Sequence, residues 1–359
     1  MENDFKLHEP QTIAELQSLI REASIISLNT RKDSPSPPNT ITLSLSGFQK
    51  IVEYQPEEYT ITVEAGAKVS DVISILDEQG QYLPFDPPFI DKYSTIGGMI
   101  ANGYSGPGGN RYGILRDFIL GLTFIDGLGN RIKTGGKVVK NAAGFDVPKL
   151  MVGSQASLGV ITEATFKVFP LPETYRTILF RFDTFESGHA ALLALGRSRF
   201  TLDALDLDSQ GSLVIRLSGQ SDSMDVRIQA LETLIGRSHE VFSEDKSIWT
   251  TSLKLQAFPQ AGLLLKIPSS PTSIRKIEAE LAPYSTQRRY SIGGFVSWVH
   301  SDNSVCELSE LLQKLDLAAQ IVSGDTIEHV IGTDHPRAFY DRIKQALDPQ
   351  RKFANIYKK

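Results

Sequence analysis

A glycine-rich segment is the first stretch of this sequence whose residue types could carry chemistry. Seven glycines lie between Gly97 and Gly113, just after Ser94-Thr95-Ile96. Because glycine has no Cβ, such a segment lets a ligand approach the backbone, and a run of free N–H groups can form a concavity that binds a pyrophosphate. The spacing is not that of the Walker A loop or of the Gly-x-Gly-x-x-Gly turn. A flexible surface loop explains the glycine content by itself equally well.

The histidines and the cysteine offer few candidates for a catalytic or metal centre. None of the six histidines forms a His-x-x-x-His or His-Glu-x-x-His pattern, and one cysteine, Cys306, cannot form a cysteine cluster for iron–sulfur or zinc. We therefore expect no metal. His329, His335 and Arg337 are the clustered candidates, and a structural role explains each of them as well.

Length and composition set the broad class. A chain of 359 residues is too long for one ordinary domain, so we expect two. With 41% hydrophobic residues, 22% charged residues and a net charge of −5, the chain resembles soluble globular proteins and has no basic nucleic-acid footprint. No apolar run reaches the ~18–20 residues that cross a bilayer, and the acidic N-terminus is not a secretory signal. We expect a cytoplasmic protein, peripheral to a membrane only through partners.

The elements that must position the glycine segment are short strands and helices. The pattern predicts a helix over residues 11–23 with Thr12 as its N-cap, and a second helix that Ser70 caps and Gly80 ends. The run Asp126-Gly127-Leu128-Gly129-Asn130 predicts a hairpin turn. Apolar alternation predicts strands at 25–28, 40–46, 60–66 and 118–126.

The pattern changes at Thr174, where apolar strands begin to alternate with longer helices. This order indicates an α+β unit with a mostly antiparallel sheet and helices on one face. Trp249 is expected in the core or at an interface, and a helix is expected after Arg337. The predicted strands are 177–182, 213–217, 263–267, 294–299 and 318–322, and the predicted helices are 187–196, 223–235, 272–282 and 304–315.

Several motifs occur together in a fixed order. They are TIGGMIANG at 95–103, RYGILRD at 111–117, GLGN at 127–130 and KNAAGFDVPKLMVGSQASLGVIT at 140–162. Taken in this order, they resemble FAD-binding oxidoreductases of the vanillyl-alcohol-oxidase/p-cresol-methylhydroxylase (PCMH) type. Within that family the sequence is most similar to the E-type FAD-binding subunit of bacterial glycolate oxidase.

The resemblance implies a fold and its boundaries. It implies an α+β protein with a two-subdomain, PCMH-type FAD-binding domain over residues 1–172 and a cap domain over residues 173–328. The cap of this family is α+β, covers the flavin and supplies substrate contacts. Residues 329–359 are then expected to return to the flavin domain.

The resemblance also implies a cofactor site. FAD is expected to bind noncovalently, because no histidine lies where some members attach it. The Thr95 hydroxyl and the amides of Ile96, Gly97, Gly98 and Asn102 are the expected donors. Lys140 and Asn141 would approach the flavin, although Asp146 can equally cap a helix there. The full set of expected cofactor-binding residues is Pro87, Thr95, Ile96, Gly97, Gly98, Ala101, Asn102, Gly103, Tyr112, Gly113, Gly153, Ser157, Gly159, Val160 and Ile161.

The sequence departs from the family pattern in three places. The family has a glycine-rich turn around the pyrophosphate at the position of Asn29–Pro38, whereas this chain has no glycine before Gly47. Ala156 stands where glycine is usual. The tail after Asp348-Pro349 lacks the Asn-Pro-Gly of the family. One half of the pyrophosphate cradle is therefore missing or rebuilt.

The resemblance implies an oxidoreductase subunit. It would support oxidation of glycolate or a related 2-hydroxy acid, with hydride passing to flavin N5 and electrons leaving through a partner. The implied partners are a D-like flavin subunit and an F-like iron–sulfur subunit in a hetero-oligomer. A flavin-fold scaffold that has lost FAD is the alternative, which the Asn29–Pro38 loop and the altered tail favour. A stand-alone dehydrogenase for another hydroxy acid is a third interpretation.

Overall fold

The computed structural model describes most of the chain. The described residues are 7–28, 40–88, 94–136, 146–243, 246–255, 258–259, 261–284, 287–326, 328–334 and 338–355. The loop Asn29–Pro38 and the candidate residues Lys140, Asn141, His335 and Arg337 lie outside them.

The N-terminal subdomain is a small parallel sheet covered by one helix. Thr12 caps helix α1 as predicted, because its hydroxyl accepts a 3.2 Å hydrogen bond from the Glu15 amide. Leu16 and Ile20 on the inner face of α1 are fully buried. The elements are β1 (Leu7–His8), α1 (Ile13–Glu22), β2 (Ile26–Leu28) and β3 (Ile41–Leu43), with strand order β1-β3-β2.

The second subdomain is a five-stranded antiparallel sheet with order β4-β5-β9-β7-β8. The Asp126 carboxylate accepts from the amides of Leu128 and Asn130, so the predicted hairpin between β7 and β8 is confirmed. The strands are β4 (Ile51–Gln55), β5 (Thr60–Glu64), β7 (Ile119–Ile125), β8 (Arg131–Gly135) and β9 (Val160–Lys167), while β6 (Gln81–Tyr82) pairs with β10 (Phe169–Pro170).

Helices of the second subdomain lie between these strands. The N-cap of α2 is Lys68 rather than Ser70, so that prediction was wrong by two residues, and no side chain caps this helix end. Asp146 caps α6 through the Lys149 amide. The helices are α2 (Val69–Glu78), α3 (Ile96–Asn102), α4 (Gly109–Tyr112), α5 (Leu115–Phe118) and α6 (Val147–Met151).

Within the described residues, nine antiparallel strands form the sheet of the cap, in the order β14-β11-β13-β12-β16-β17-β15-β18-β19. Four of them, β12, β14, β16 and β19, were not predicted, because two are three residues long and the other two carry charged residues. The elements are β11 (Thr174–Arg181), α7 (Phe185–Gly196), β12 (Ala204–Asp208), β13 (Ser212–Gly219), α8 (Ser221–Ile235), β14 (Glu240–Phe242), α9 (Lys246–Leu253), β15 (Leu263–Pro268), α10 (Ile274–Leu281), β16 (Gln287–Ser291), β17 (Val296–Ser301), α11 (Val305–Lys314), β18 (Ala318–Ser323) and β19 (Val330–Gly332).

The two faces of the cap sheet differ in chemistry. One face packs on the cap helices in an apolar core that includes Leu265, Val299 and Ile321. Their neighbours along the strands point to the opposite face, since successive strand residues alternate. Those neighbours include Lys266, Trp298 and Gln320, and Lys266 and Gln320 contact the first domain.

The C-terminal segment returns to the N-terminal subdomain. Helix α12 (Ala338–Leu347) is followed by Lys352, whose carbonyl accepts a 2.7 Å hydrogen bond from the Ile26 amide. Phe353 then pairs with Ile26 as an isolated parallel bridge. Strand β19 still belongs to the cap sheet, so that sheet extends past residue 328. Among the described helices, none is long and apolar enough to cross a membrane.

Candidate cofactor site

A cavity of about 390 Å³ lies between the two subdomains of the first domain. Strand β3 forms one wall, and α3 with the loop before β9 forms the other. Leu28, the last described residue before the 29–39 segment, also lines it. The lining residues are Leu7, Leu28, Thr42, Leu43, Ser44, Leu45, Ser46, Gln49, Ala65, Gly66, Lys68, Thr95, Gly97, Gly98, Ala101, Ala156, Gly159 and Ile161.

Helix α3 explains two glycines of the TIGGM motif. A Cβ on Gly97 would lie 3.0 Å from both the Cβ and the carbonyl oxygen of Ala65, so the helix can approach β5 only with glycine there. A Cβ on Gly98 would meet only the Thr95 hydroxyl, at 3.2 Å. Gly97 therefore serves packing, whereas Gly98 leaves open space at the cavity wall.

The N–H groups at the start of α3 are already engaged within the protein. The amides of Ile96 and Gly97 donate to the carbonyls of Ala67 and Ala65 at 2.9 and 2.7 Å. The Gly98 amide donates to the Thr95 hydroxyl, which is the N-cap of α3. These amides and the Thr95 hydroxyl were expected to donate to a ligand. In the structure they hold α3 in place instead. Contact of these residues with a cofactor stays a prediction.

The loop from Gly153 to Gly159 closes the other side of the cavity. Gln155 and Ala156 have φ of 49° and 59°, in the left-handed region that favours glycine. The Gln155 amide donates to the Ala101 carbonyl at 2.7 Å, which fixes the loop against α3. The positive φ of Ala156 gives a physical reason for the glycine that the family usually has at this position.

Two polar atoms of this loop are buried without a partner. Ser154 Oγ and Gln155 Oε1 make no hydrogen bond to any described residue. A buried polar atom without a partner is costly. Neither Ser154 nor Gln155 lines the cavity, so the open surface over Gly98 and Ala101 is the feature of this cavity that fits a nucleotide-type cofactor such as FAD.

The cavity gathers part of the predicted cofactor set and not the rest. Val160 and Ser157 are fully buried, and Tyr112 packs edge-on against Phe169 at 4.9 Å. Asp117 holds backbone, since its carboxylate accepts from the Ile114 amide at 3.0 Å. The predicted residues that line the cavity are Thr95, Gly97, Gly98, Ala101, Gly159 and Ile161, and those that do not are Pro87, Ile96, Asn102, Gly103, Tyr112, Gly113, Gly153, Ser157 and Val160.

The C-terminal end of α3 contacts the cap through residues that the sequence analysis missed. Lys266 Nζ donates to the Gly103 carbonyl at 2.8 Å. Gln320 Nε2 donates to the Asn102 carbonyl at 3.3 Å, while the Asn102 amide donates to the Gly98 carbonyl at 2.9 Å. Burial lowers the pKa of Lys266 to about 8. The sequence carried one indication of this contact, which is a lysine within the otherwise apolar run LLLKIP.

Two ion pairs join the glycine segment to the cap. Arg216 Nη2 lies 2.5 Å from Asp86 Oδ2, which also accepts from the Gly108 amide. Arg111 Nη1 lies 2.7 Å from Asp203 Oδ1. In the first pair the first domain supplies the carboxylate and the cap supplies the arginine, and in the second pair these roles are reversed.

A further charged group lies deep in the cap. Burial raises the pKa of Asp206, although Arg289 and the Ser291 hydroxyl oppose the shift. Burial also lowers the pKa of Arg289, whose Nη2 donates to the Ser252 carbonyl. The two side chains are 3.7 Å apart, with Arg289 on the face that carries Lys266.

The loop before β9 is fixed from behind by the C-terminal segment. The buried Lys344 ammonium donates to the carbonyls of Ser157 and Phe353 and to the Asp348 carboxylate. Asp348 is fully buried and also accepts from the amides of Lys352 and Phe353. The C-terminal segment, although it lacks the Asn-Pro-Gly of the family, thus contacts the loop before β9 through Lys344.

The remaining candidates have other positions. The His329 carbonyl accepts from the Ile321 amide at the β18–β19 turn, and His335 and Arg337 lie outside the described residues. Trp249 is buried and donates to the Thr177 hydroxyl at 2.8 Å, so its expected core role is confirmed. No group of histidine, cysteine and acidic residues suited to a metal ion occurs in the described part of the chain.

The architecture and the cavity define an α+β protein with a nucleotide-cofactor domain under an antiparallel cap. Residues 7–135 match the family profile described as "FAD binding domain", which agrees with the FAD cofactor expected from the motifs. A solved structure of alkyldihydroxyacetonephosphate synthase has the same fold, with a TM-score of 0.70 at 15% identity over 96% of this chain and 76% of that one.

Curated relatives include proteins named as glycolate oxidase subunits and as D-lactate dehydrogenases. Glycolate oxidase subunit GlcE of Escherichia coli (strain K12) is 38% identical over 162 residues, 45% of each chain. Glycolate oxidase subunit GlcD of Bacillus subtilis (strain 168) is 33% identical over 175 residues, 49% of this chain and 37% of the relative. A D-lactate dehydrogenase of Anaerostipes hadrus is 27% identical over 49% of this chain and 40% of its own length. The chain thus aligns with less than half the length of each of these three relatives.

Proposed function

We propose that this chain is the FAD-binding subunit of a glycolate-oxidase-like complex. It supports oxidation of glycolate or a related 2-hydroxy acid and passes electrons to a partner. The observation that carries the proposal is the cavity lined by Gly98, Ala101, Ala156, Gly159 and Ile161, inside a domain whose profile is that of FAD binding. The 38% identity to GlcE supports the choice of the glycolate system.

Different residues of the cavity would contact different parts of FAD. The glycine surface at Gly98 and the apolar side chains of Leu43 and Ile161 would contact the nucleotide part. Lys68, which lines the same cavity, would supply positive charge for the pyrophosphate. No histidine lies in this set, which favours a noncovalent complex.

The chain's own residues would also shape the reaction. FAD supplies the two-electron acceptor for hydride from the carbinol carbon. The cap covers α3 from the side of Asn102 and Gly103 and keeps water from that end of the site. We assign no described residue of this chain as the base that takes the hydroxyl proton.

The names of the relatives suggest that the chain acts within a multi-subunit assembly. GlcE and GlcD are named as subunits of glycolate oxidase, which favours a hetero-oligomer in which a D-like flavin subunit and an F-like iron–sulfur subunit are the partners. Electrons would leave through the iron–sulfur partner. A cytoplasmic complex, peripheral to the membrane through those partners, is consistent with this assembly.

The visible absorption spectrum of the purified protein tests the proposal. Flavin bands and release of about one FAD per chain by acid are expected. Gly98→Val should abolish FAD binding, because a β-branched side chain would fill the open cavity wall. The matched control is Gly196→Val, an exposed glycine near the end of α7 whose Cβ would meet nothing within 4 Å.

The outcomes are distinct. A colourless protein that stays folded and takes up no added FAD would overturn the enzyme proposal and leave the scaffold alternative. A flavoprotein in which both valine variants keep FAD would show that the cavity at Gly98 is not the cofactor site.

A further inference from the structure

A row of polar side chains crosses the cap sheet on the face turned toward the flavin-type domain. In the ladder, Gln320 on β18 is paired with Lys266 on β15, Lys266 with Trp298 on β17, and Trp298 with Arg289 on β16. Directly opposed residues of antiparallel strands project to the same face. The four side chains therefore form one continuous line, which we call the cap row.

The cap row meets the flavin-type domain at the C-terminal end of α3. Lys266 and Gln320 donate to the carbonyls of Gly103 and Asn102, and the Lys266 ammonium lies 5.5 Å from the centre of the Tyr104 ring. Ala101, which lines the cavity, is two residues before Gly103, and none of the four cap-row residues lines the cavity itself. The cap row is thus adjacent to the cofactor cavity and separate from it.

Charge is unbalanced along this row. No carboxylate of the described residues forms an ion pair with Lys266, and its one hydrogen bond in the described structure leaves two of the three N–H donors of an ammonium. Arg216, on the same sheet, is already paired with Asp86, and Arg289 lies beside Asp206. Lys266 is therefore the cation of this face that lacks a counter-ion among these residues.

A partly buried cation without a counter-ion is unfavourable for a fold, because desolvation of the charge is not offset by an ion pair. Such groups concentrate at functional sites, where a ligand supplies the opposite charge. The aromatic rings of Tyr104 and Trp298 lie beside Lys266, and the low local dielectric of such rings strengthens its interaction with an anion. A carboxylate supplies the charge that Lys266 lacks among its described neighbours.

We propose that Lys266, assisted by the Gln320 amide, binds the carboxylate of the small acid on which the protein acts. This assignment rests on the proposed function and names the carboxylate subsite within it. Lys266 Nζ would exchange solvent contacts for a charge-assisted hydrogen bond, and the Gln320 amide would donate to the second carboxylate oxygen.

Isothermal titration of the purified holoprotein with oxalate tests the proposal. Oxalate has the carboxylate of a 2-hydroxy acid but no carbinol C–H, so it binds without turnover. Wild type is expected to bind it, and Lys266→Met to bind it about 10- to 100-fold more weakly, because one charged hydrogen bond is lost. Lys266→Arg keeps the charge and is expected to restore most of the affinity. The matched control is Lys276→Met, an exposed lysine on α10.

FAD content and the unfolding temperature are measured on the same samples. Unchanged oxalate affinity in a folded Lys266→Met variant would overturn the proposal, as would wild type that does not bind oxalate. If Lys266→Met does not fold, Gln320→Leu, whose side chain is partly exposed, takes its place and is expected to weaken binding severalfold. Lys266-dependent oxalate binding in a protein without FAD would refute the proposed function while leaving the anion site in place.

Discussion

Ala156 shows how one side chain can conflict with the backbone that a loop requires. Its φ of 59° places it in the left-handed region, and its neighbour Gln155 shares that conformation. An L-residue there costs roughly 1–2 kcal/mol relative to glycine. The loop keeps this geometry because the Gln155 amide bonds to α3 and because Lys344 bonds to the Ser157 carbonyl.

We expect Ala156→Gly to stabilise the protein by about 1 kcal/mol, since it relieves strain at a positive φ. Chemical denaturation gives the free energy of unfolding. The control is Ala190→Gly on the exposed face of α7, which should destabilise by about 1 kcal/mol because its backbone is helical. Equal signs for the two variants would contradict the argument from φ.

Lys266 makes the stability of the protein depend on pH in a definite direction. Its pKa is about 8 in the folded protein and about 10.4 in an unfolded chain, so between these values the unfolded state holds more protons. The contribution of Lys266 to the free energy of unfolding therefore rises as the pH increases from about 8 to 10.4. Burial causes the shift, and no neighbouring charge among the described residues adds to it.

The measurement is the difference in unfolding free energy between wild type and Lys266→Met. This difference should shift in favour of wild type as the pH rises from 8 to 10, because only wild type releases a proton on folding there. Urea denaturation at several pH values gives the slope. A difference that stays constant over this range would show that the Lys266 ammonium is solvated in the folded state.

At the scale of elements, the C-terminal segment acts as a clamp on the first domain. After α12, the Lys352 ammonium bonds to the carbonyls of Ile20 and Arg21 at the end of α1. Asp348 lies at the centre and accepts from Lys344 and from two amides. The clamp thus connects the N-terminal subdomain to the loop that closes the cavity.

We expect Asp348→Ala to destabilise the protein by about 3–5 kcal/mol, because it leaves the buried Lys344 ammonium without its carboxylate. Differential scanning calorimetry gives the change. The control is Glu240→Ala, which removes the exposed partner of Arg181 and should cost less than about 1 kcal/mol. A small effect of Asp348→Ala would mean that the tail does not clamp the domain in solution.

At the scale of the whole molecule, the two domains are joined by charge rather than by an apolar interface alone. Asp86 and Arg111 lie in the glycine-segment region, and each pairs with a cap residue. The Arg216 guanidinium also lies over the rings of Tyr175 and Trp249. This arrangement holds the polar face of the cap over α3.

A double-mutant cycle on Asp86 and Arg216 measures this connection. Arg216→Met or Asp86→Asn is each expected to cost about 3 kcal/mol, while the double variant costs less than the sum, since neither charge is then left unpaired. Hydrogen exchange of the α3 amides reports whether the cap contact loosens. Additive effects would show that the two side chains do not interact.

The sequence by itself determined the first domain and the class of its ligand. The hairpin at 126–130 and the Asp146 cap depend on local hydrogen bonds and short spacings, which the chain carries in order. The same holds for α1 and for the alternation of strands and helices in the cap. These features could be predicted because each is fixed by neighbours within a few residues.

Only the tertiary structure decided how the cap meets that domain. Gln320, Lys266, Trp298 and Arg289 come from four strands and form one row through the register of the sheet, which no local pattern encodes. Strand β16 was missed because its residues QRRYS are polar, and the folded chain gives both arginines partners within the cap, since Arg288 pairs with Glu278 and Arg289 lies beside Asp206. The clamp through Lys344 and Asp348 depends on a contact with residues almost two hundred positions earlier, so burial and charge pairing in the folded chain, rather than sequence spacing, give those residues their roles.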